Sequence, residues 1–257
     1  MDFKGNCLTT AMGILPHKNI QEALDLALTL DIPFWPQLPY YSYYEDMYVQ
    51  VSENFPGIIV DTDQKRITLD SSRFYEELGD YAVKSDDVNI FKLSPLYSLA
   101  FDAFMERDLS GYHAIRGQSI GPVSFGLKIA DENLKPIIYN DDVREFLFEF
   151  IAQKINIQYR QLREKHPNTF VWVDEPGLEI IFGSFTGYPS LLKDLGRPGA
   201  AFLHLYYFQG KVIFDILPTS TGCSIRTWTA AQMVLFIKYC KGGLKKYKFV
   251  PLRPEII

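Results

Sequence analysis

Residues 169–176 read Thr169-Phe170-Val171-Trp172-Val173-Asp174-Glu175-Pro176. Thr, Phe, Val, Trp and Val in a row predict a strand, because β-branched and aromatic side chains fit a pleated, half-buried surface. Two carboxylates follow at its C-terminal end, and Pro176 fixes a turn beyond them. Neighbouring residues on an extended chain point to opposite faces. The two read as a carboxylate pair for substrate binding or proton transfer, with Asp174 the candidate for ligand contact and Glu175 either a second contact or a brace for a neighbouring strand. The competing reading of Asp174 is a cap on the following loop.

Working outward, the segment before this strand predicts a long helix from Asp141 to about Lys165. Asp141 and Asp142 complement the helix dipole at its start, and His166-Pro167-Asn168 ends it. Upstream, residues 112–118 predict a strand that runs into Ser119-Ile120-Gly121-Pro122-Val123-Ser124. Near the start, residues 7–12 predict a strand, and Asn19 with Glu22 forms a capping signature for a helix continuing through Leu30. The prolines of 33–39 then allow only a short strand. Alternation of strand and helix, with polar residues at the strand ends, predicts a parallel sheet.

The length of 257 residues suits a single (β/α)8 barrel of the TIM type, whose functional groups sit at the C-terminal ends of the strands. An open doubly wound sheet is the alternative, but Gly13 stands alone where a dinucleotide-binding loop needs several glycines. Residues 1–257 are thus expected to form one barrel domain with a β-hairpin insertion near 58–69, where two β-rich runs flank Asp63-Gln64-Lys65. Ser94 and Pro95 are expected to open a helix bearing Leu99, Phe101, Phe104, Met105 and Leu109. Beyond about residue 198 the alternation fades. Residues 200–208 and 211–217 predict two strands and 229–239 a helix, so the barrel is expected to be incomplete or diverged at its C-terminal side.

Composition narrows the function classes. Twenty-six basic residues against thirty-one acidic give a net charge of -5, which argues against nucleic-acid binding. The lysines from Lys238 to Lys248 read as a solvated cluster. Three distant cysteines, Cys7, Cys223 and Cys240, form no disulfide framework and fit a reducing compartment. No apolar run approaches the ~18 residues of a membrane span, and the start lacks a secretory pattern. A cytoplasmic protein without membrane or nucleic-acid partners is expected.

Three segments together resemble the catalytic barrel of cobalamin-independent methionine synthase and the single-barrel methyltransferases grouped with uroporphyrinogen decarboxylase. They are Leu8-Thr9-Thr10-Ala11-Met12-Gly13-Ile14-Leu15-Pro16-His17, then Gly117-Gln118-Ser119-Ile120-Gly121-Pro122-Val123-Ser124, then Val173-Asp174-Glu175-Pro176. The resemblance covers residues from about 5 to 195 and stops near Gly199. The part beyond reads as truncated, diverged or translated from a shifted frame. The resemblance implies methyl transfer from a methyl-folate, or from a methylated corrinoid protein, to a small-molecule thiol such as homocysteine. It implies a zinc ion that stabilises the thiolate. It places Asp174 on the substrate's ammonium group and the backbone of Met12, Gly13 and Ile14 on its carboxylate; Ile14 stands where the family often has serine.

For the metal, His204-Leu205-Tyr206 is the only candidate for the family's His-x-Cys pair, and tyrosine replaces the cysteine. Asp215 and Cys223 are the remaining candidate ligands; the competing reading of His204 is a strand histidine bonded in the core. His17 is read equally as a ligand contact at the barrel mouth or an exposed loop residue. Gln118 and Ser124 offer hydrogen bonds to a pocket, while Gly121-Pro122 shapes a tight turn. Trp35 with Tyr40, Tyr41, Tyr43 and Tyr44 reads as a flat-ligand wall or, residue by residue, as rim packing. Glu45 and Asp46 read as a solvated acidic pair, with an ammonium-binding site as the competing reading. Two other functions compete with methyl transfer. One is a uroporphyrinogen decarboxylase-like activity, which needs clustered arginines where the first half has only Arg66, Arg73, Arg107 and Arg116. The other is a non-catalytic ligand-binding remnant.

Overall fold

The computed structural model describes residues 8–177 in full and the backbone of residues 202–208, 211–217 and 224–229. Its organising feature is a run of parallel pairings. The segment through residues 9–15 pairs with the one through 32–37: Thr9 O accepts from Ile32 N (3.0 Å), Gly13 O from Gln37 N (2.7 Å) and Gln37 O from Leu15 N (3.0 Å). That second segment pairs in parallel with strand Ile115–Ile120 through Arg116 N to Pro33 O (3.0 Å) and Trp35 N to Arg116 O (3.2 Å). Strand Ile115–Ile120 in turn pairs in parallel with Thr169–Asp174, Ile120 opposite Asp174. Prolines 33, 36 and 39 keep the second segment short, because each lacks a ladder donor.

Helix α1 (Ile20–Ala27) connects the first two segments. Asn19 caps it as expected, accepting from Gln21 N and Glu22 N. It ends before Leu30, because Thr29 N and Oγ1 both bond back to Leu26 O and tighten the last turn. A long excursion follows. It holds α2 (Met47–Ser52), then the hairpin β1 (Ile58–Asp61) and β2 (Arg66–Leu69), then α3 (Ser71–Lys84) and α4 (Leu99–Met105). The hairpin is antiparallel with Asp61 opposite Arg66, as the sequence predicts. Helix α4 is capped by Ser98 and not by Ser94. The tertiary fold decides between the two serines: buried Glu45 accepts from Ser98 Oγ (3.1 Å) and Ala100 N (2.9 Å), which fixes the start of the helix there.

The strand Ile115–Ile120, β3, is buried along its whole length. It runs into α5 (Pro122–Lys128), then α6 (Asp141–Lys165), then β4 (Thr169–Asp174). Helix α6 has the bounds its caps predict. Asn140 accepts from Asp142 N and Val143 N at one end, and Arg163 and Lys165 sit in the last turn at the other. It packs on β3 and β4 and carries the core's aromatic centre. Phe146 and Phe150 of α6 meet Phe55 edge-on, each at 5.1 Å, and Tyr81 of α3 lies 4.8 Å from Phe146. Such ring pairs add about 0.5–1.5 kcal/mol each beyond area burial. They attach the excursion to the sheet.

From β4 onward the sheet changes direction. The strands β5 (Phe202–Phe208), β6 (Lys211–Leu217) and β7 (Ser224–Thr229) extend it in the order β3-β4-β5-β6-β7, each pairing from β4 on being antiparallel. Only two residues separate β5 from β6. That is too short for a parallel crossover, which needs about a dozen residues or more. The described architecture is therefore mixed α/β, parallel in its first half and antiparallel in its second. The helix expected at 229–239 lies outside the described residues, except that Thr229 ends β7. No helix among the described residues is long and apolar enough to cross a membrane.

Candidate functional site

The parallel segments end side by side, so residues 12–14, Gln37, Gln118 to Ile120 and Asp174 share one rim of the sheet. Two clusters form there. In the first, Gln118 of β3 is fully buried and ties down the first segment. Its Oε1 accepts from Gly13 N (2.7 Å) and Arg116 Nη1 (3.2 Å), and its Nε2 approaches Met12 Sδ (2.9 Å). Two donors on Oε1 fix the amide's orientation. A Cβ at Gly13 would lie 2.6 Å from that oxygen, so a side chain there would displace the Gln118 amide. Arg116 is completely buried, with its guanidinium 4.8 Å from the ring centres of both Phe34 and Trp172 and its Nε donating to Thr10 Oγ1 (2.9 Å). Stacking between two rings favours Arg, whose guanidinium is planar and weakly hydrated.

The second cluster surrounds the carboxylates. Glu175 is buried, its Oε1 accepting from Val123 N (2.9 Å) and its Oε2 from Ser124 N and Ser124 Oγ (both 2.7 Å). Ser124 Oγ also accepts from Gly177 N (2.8 Å). Burial pushes the Glu175 carboxyl up to about 7 against the pull of these donors. The side chain lies against Gly121, where a Cβ would fall on its carboxyl group. Glu175 thus joins the end of β4 to the start of a helix, α5, and not to a neighbouring strand. Asp174 is different. It is half-buried, its carboxyl accepts no hydrogen bond from the described residues, and burial raises its pKa above the usual carboxylate range. Tyr48 of α2 stands near it. Burial first, and then the charges of Asp174, Glu175 and Asp46, push the Tyr48 hydroxyl up to about 12, so it stays protonated.

The other expected residues are placed as follows. Met12 and Ile14 are each 41 % exposed at the rim. His17 lies half-buried in the loop before α1, its Nδ1 without a hydrogen-bond partner among the described residues. Of the aromatic group, Trp35 is core, edge-on to Phe101 at 5.0 Å, whereas Tyr40 and Tyr41 are exposed. Glu45 is no solvated residue but a buried acceptor for Gln50, Ser98 and Ala100, and Asp46 caps α2 through Tyr48 N (2.8 Å). Tyr48 and Arg116 are site residues that the sequence reading missed, and neither carries a local signal. Gln37 stands at the end of a strand expected from sequence, where the functional groups of a parallel sheet gather.

His204 and Asp215 occupy paired positions on β5 and β6, and His204 also pairs with Asp174 on β4. Cys223, with Cys7 and Cys240, lies outside the described residues, as does the lysine cluster from Lys238 to Lys248. A zinc site needs at least three protein ligands. Among the described residues no group of three or more His, Cys, Asp and Glu could hold a metal ion; the side chains of His204 and Asp215 and the whole of Cys223 lie outside them. Set against family models, curated proteins and solved structures, the chain matches none of them.

Proposed function

We propose that this chain is a methyltransferase of the cobalamin-independent methionine synthase type, acting on a small thiol such as homocysteine at the rim where its parallel strands end. The observation that carries the reading is Asp174. It is a desolvated carboxylate that accepts no hydrogen bond from the described residues, at the same strand ends as the Met12–Gly13 turn that Gln118 holds. A substrate ammonium beside Asp174 offsets the cost of burying that charge, and the neutral Tyr48 hydroxyl is available to donate. Gln118 and Arg116 position the turn expected to receive the substrate carboxylate. In the transfer, the thiolate sulfur attacks the methyl carbon and the donor's bond to that carbon breaks. The donor is a methyl-folate or a methylated corrinoid protein. Zinc, where bound, would supply the thiolate at neutral pH.

A second reading, binding without catalysis, is favoured by one observation: the Gly13 N–H that would receive a carboxylate already donates to Gln118. The decarboxylase reading has no such support, since Arg73 pairs with Glu77, Arg107 with Asp25, and Arg116 stacks between rings. Calorimetric titration with homocysteine and with methionine tests the site. Binding that weakens at least ~10-fold in Asp174→Asn supports it, by the loss of a charge-assisted contact. Equal binding by both forms, or none by either, refutes it. Methyl transfer from methyl-folate, followed together with metal content, separates the two readings.

A further inference from the structure

A separate cavity lies between β3, α2 and α6, and Trp35, Gln37, Lys154 and Gln158 are among the residues that line it. The space in it open to the centre of a water-sized molecule is about 20 Å3. One water needs roughly 10–15 Å3 by the same measure, so the cavity takes a single guest of that size. Each of the four residues carries a buried polar atom with no hydrogen-bond partner among the described residues: Trp35 Nε1, Lys154 Nζ, Gln37 Oε1 and Gln158 Oε1. Buried polar atoms are seldom left unpaired, because each gives up its hydration for nothing, so four on one small cavity call for an occupant that pairs them.

The surrounding network fixes which end of each amide is left over. Gln50 Nε2 donates to Glu45 Oε2 and to Tyr97 O, each at 3.1 Å, so Gln50 Oε1 is the end that accepts from Gln37 Nε2 (2.9 Å). Gln37 Nε2 also donates to Gln118 O (3.3 Å). Turning the Gln37 amide over would set its oxygen against two acceptors. Gln158 Nε2 likewise donates to Gln118 O (3.3 Å), which leaves its Oε1 as the free acceptor. The cavity therefore presents two amide oxygens and two donors, the Trp35 indole N–H and the Lys154 ammonium. An anion would meet the two oxygens lone pair to lone pair. A cation could accept from neither donor and would sit beside Lys154, whose side chain is 4 % exposed and whose ionic partner Glu53 lies 3.8 Å away. Water has two lone pairs and two O–H groups, which match the four atoms one for one.

We propose that one buried water occupies this cavity as a structural ligand. It accepts from Trp35 Nε1 and Lys154 Nζ and donates to Gln37 Oε1 and Gln158 Oε1. It joins α6 to the short segment through residues 32–37, where Gln37 N bonds Gly13 O and Gln37 O receives Leu15 N. The water thus braces the rim segments from the side of α6. The inference does not rest on the methyl-transfer reading, because neither Asp174 nor Met12 lines the cavity.

The test is a high-resolution crystal structure of the whole chain, with a second crystal soaked in sodium bromide. The expected result is one spherical density peak roughly 2.7–3.2 Å from each of the four atoms, with no anomalous bromide signal in its place. A bromide peak there would identify an anion site and overturn the proposal. Absence of density, or the four atoms paired directly with protein groups, would overturn it too. In solution, NMR is expected to show a through-space cross-peak between water and the Trp35 indole N–H, a resonance identified by its loss in Trp35→Phe. An indole N–H that is observed but shows no such cross-peak would also count against a bound water. The decisive readouts are on the unaltered protein, so they do not depend on a variant folding.

Discussion

Gly121→Ala is the sharpest probe of the junction between β4 and α5. The backbone at Gly121 has φ -86° and ψ 164°, which alanine adopts without strain. Any cost is therefore steric, and the new Cβ falls on the Glu175 carboxyl group. Glu175 must then leave its place and give up its bonds to Val123 N, Ser124 N and Ser124 Oγ. Hydrogen bonds to a charged group contribute about 1.5–3 kcal/mol each, part of which water or relaxation recovers. The expected loss is about 3–5 kcal/mol. Glu175→Ala by itself should lose a similar amount, because it leaves two buried N–H groups unpaired. In the Glu175→Ala background, however, the added methyl enters vacated space, and Gly→Ala there should be neutral or stabilise by up to about 1 kcal/mol. Urea unfolding of the four proteins therefore predicts a coupling of about 3 kcal/mol or more, with unchanged m-values. Additivity within about 0.5 kcal/mol would refute the reasoning, since it would mean that Gly121 and Glu175 do not touch.

The same carboxyl makes a pH prediction. Its pKa is raised from 4.5 to about 7 in the folded chain, so between these values the fold holds a proton that the unfolded chain releases. Its contribution to stability is complete below the unfolded value and is lost as pH rises through about 7, on the order of 3 kcal/mol in all. Urea midpoints taken below and above this window should diverge between the parent and Glu175→Ala; parallel curves would count against the assignment. Gln118→Leu should leave Gly13 N–H unpaired and cost about 2–4 kcal/mol. It should also raise amide exchange at residues 12–14, which mass spectrometry of exchanged peptides reads directly; unchanged exchange there would exclude Gln118 as the tether of that turn.

Local chemistry made a good part of this chain readable from sequence. The bounds of α6 follow from Asn140, Asp141 and Asp142 at one end and a basic last turn before Pro167 at the other. The hairpin at 58–69 and the strand Thr169–Asp174 follow from β-favouring runs closed by turn residues. Each depends on contacts within a few residues, which is why a sequence discloses them.

Other features depended on residues far apart in the chain. The start of α4 was settled by Glu45, more than fifty positions away, and no local rule ranks Ser98 above Ser94. The antiparallel turn of the sheet at β4 was set by strand pairing, although the two-residue gap between β5 and β6 already barred a parallel crossover there. Arg116, Glu45 and Lys154 look like surface residues in a sequence, because a charge is costly to bury unless partners are supplied. The fold supplies them from distant segments: Phe34 and Trp172 for Arg116, Ser98 and Ala100 for Glu45, Glu53 for Lys154. The sequence by itself determined where the strands and helices of residues 8–177 could form. Only their packing decided which carboxylate is held fast at the rim and which accepts nothing from the described residues, because that difference depends on whether Val123 and Ser124 arrive beside one side chain or the other.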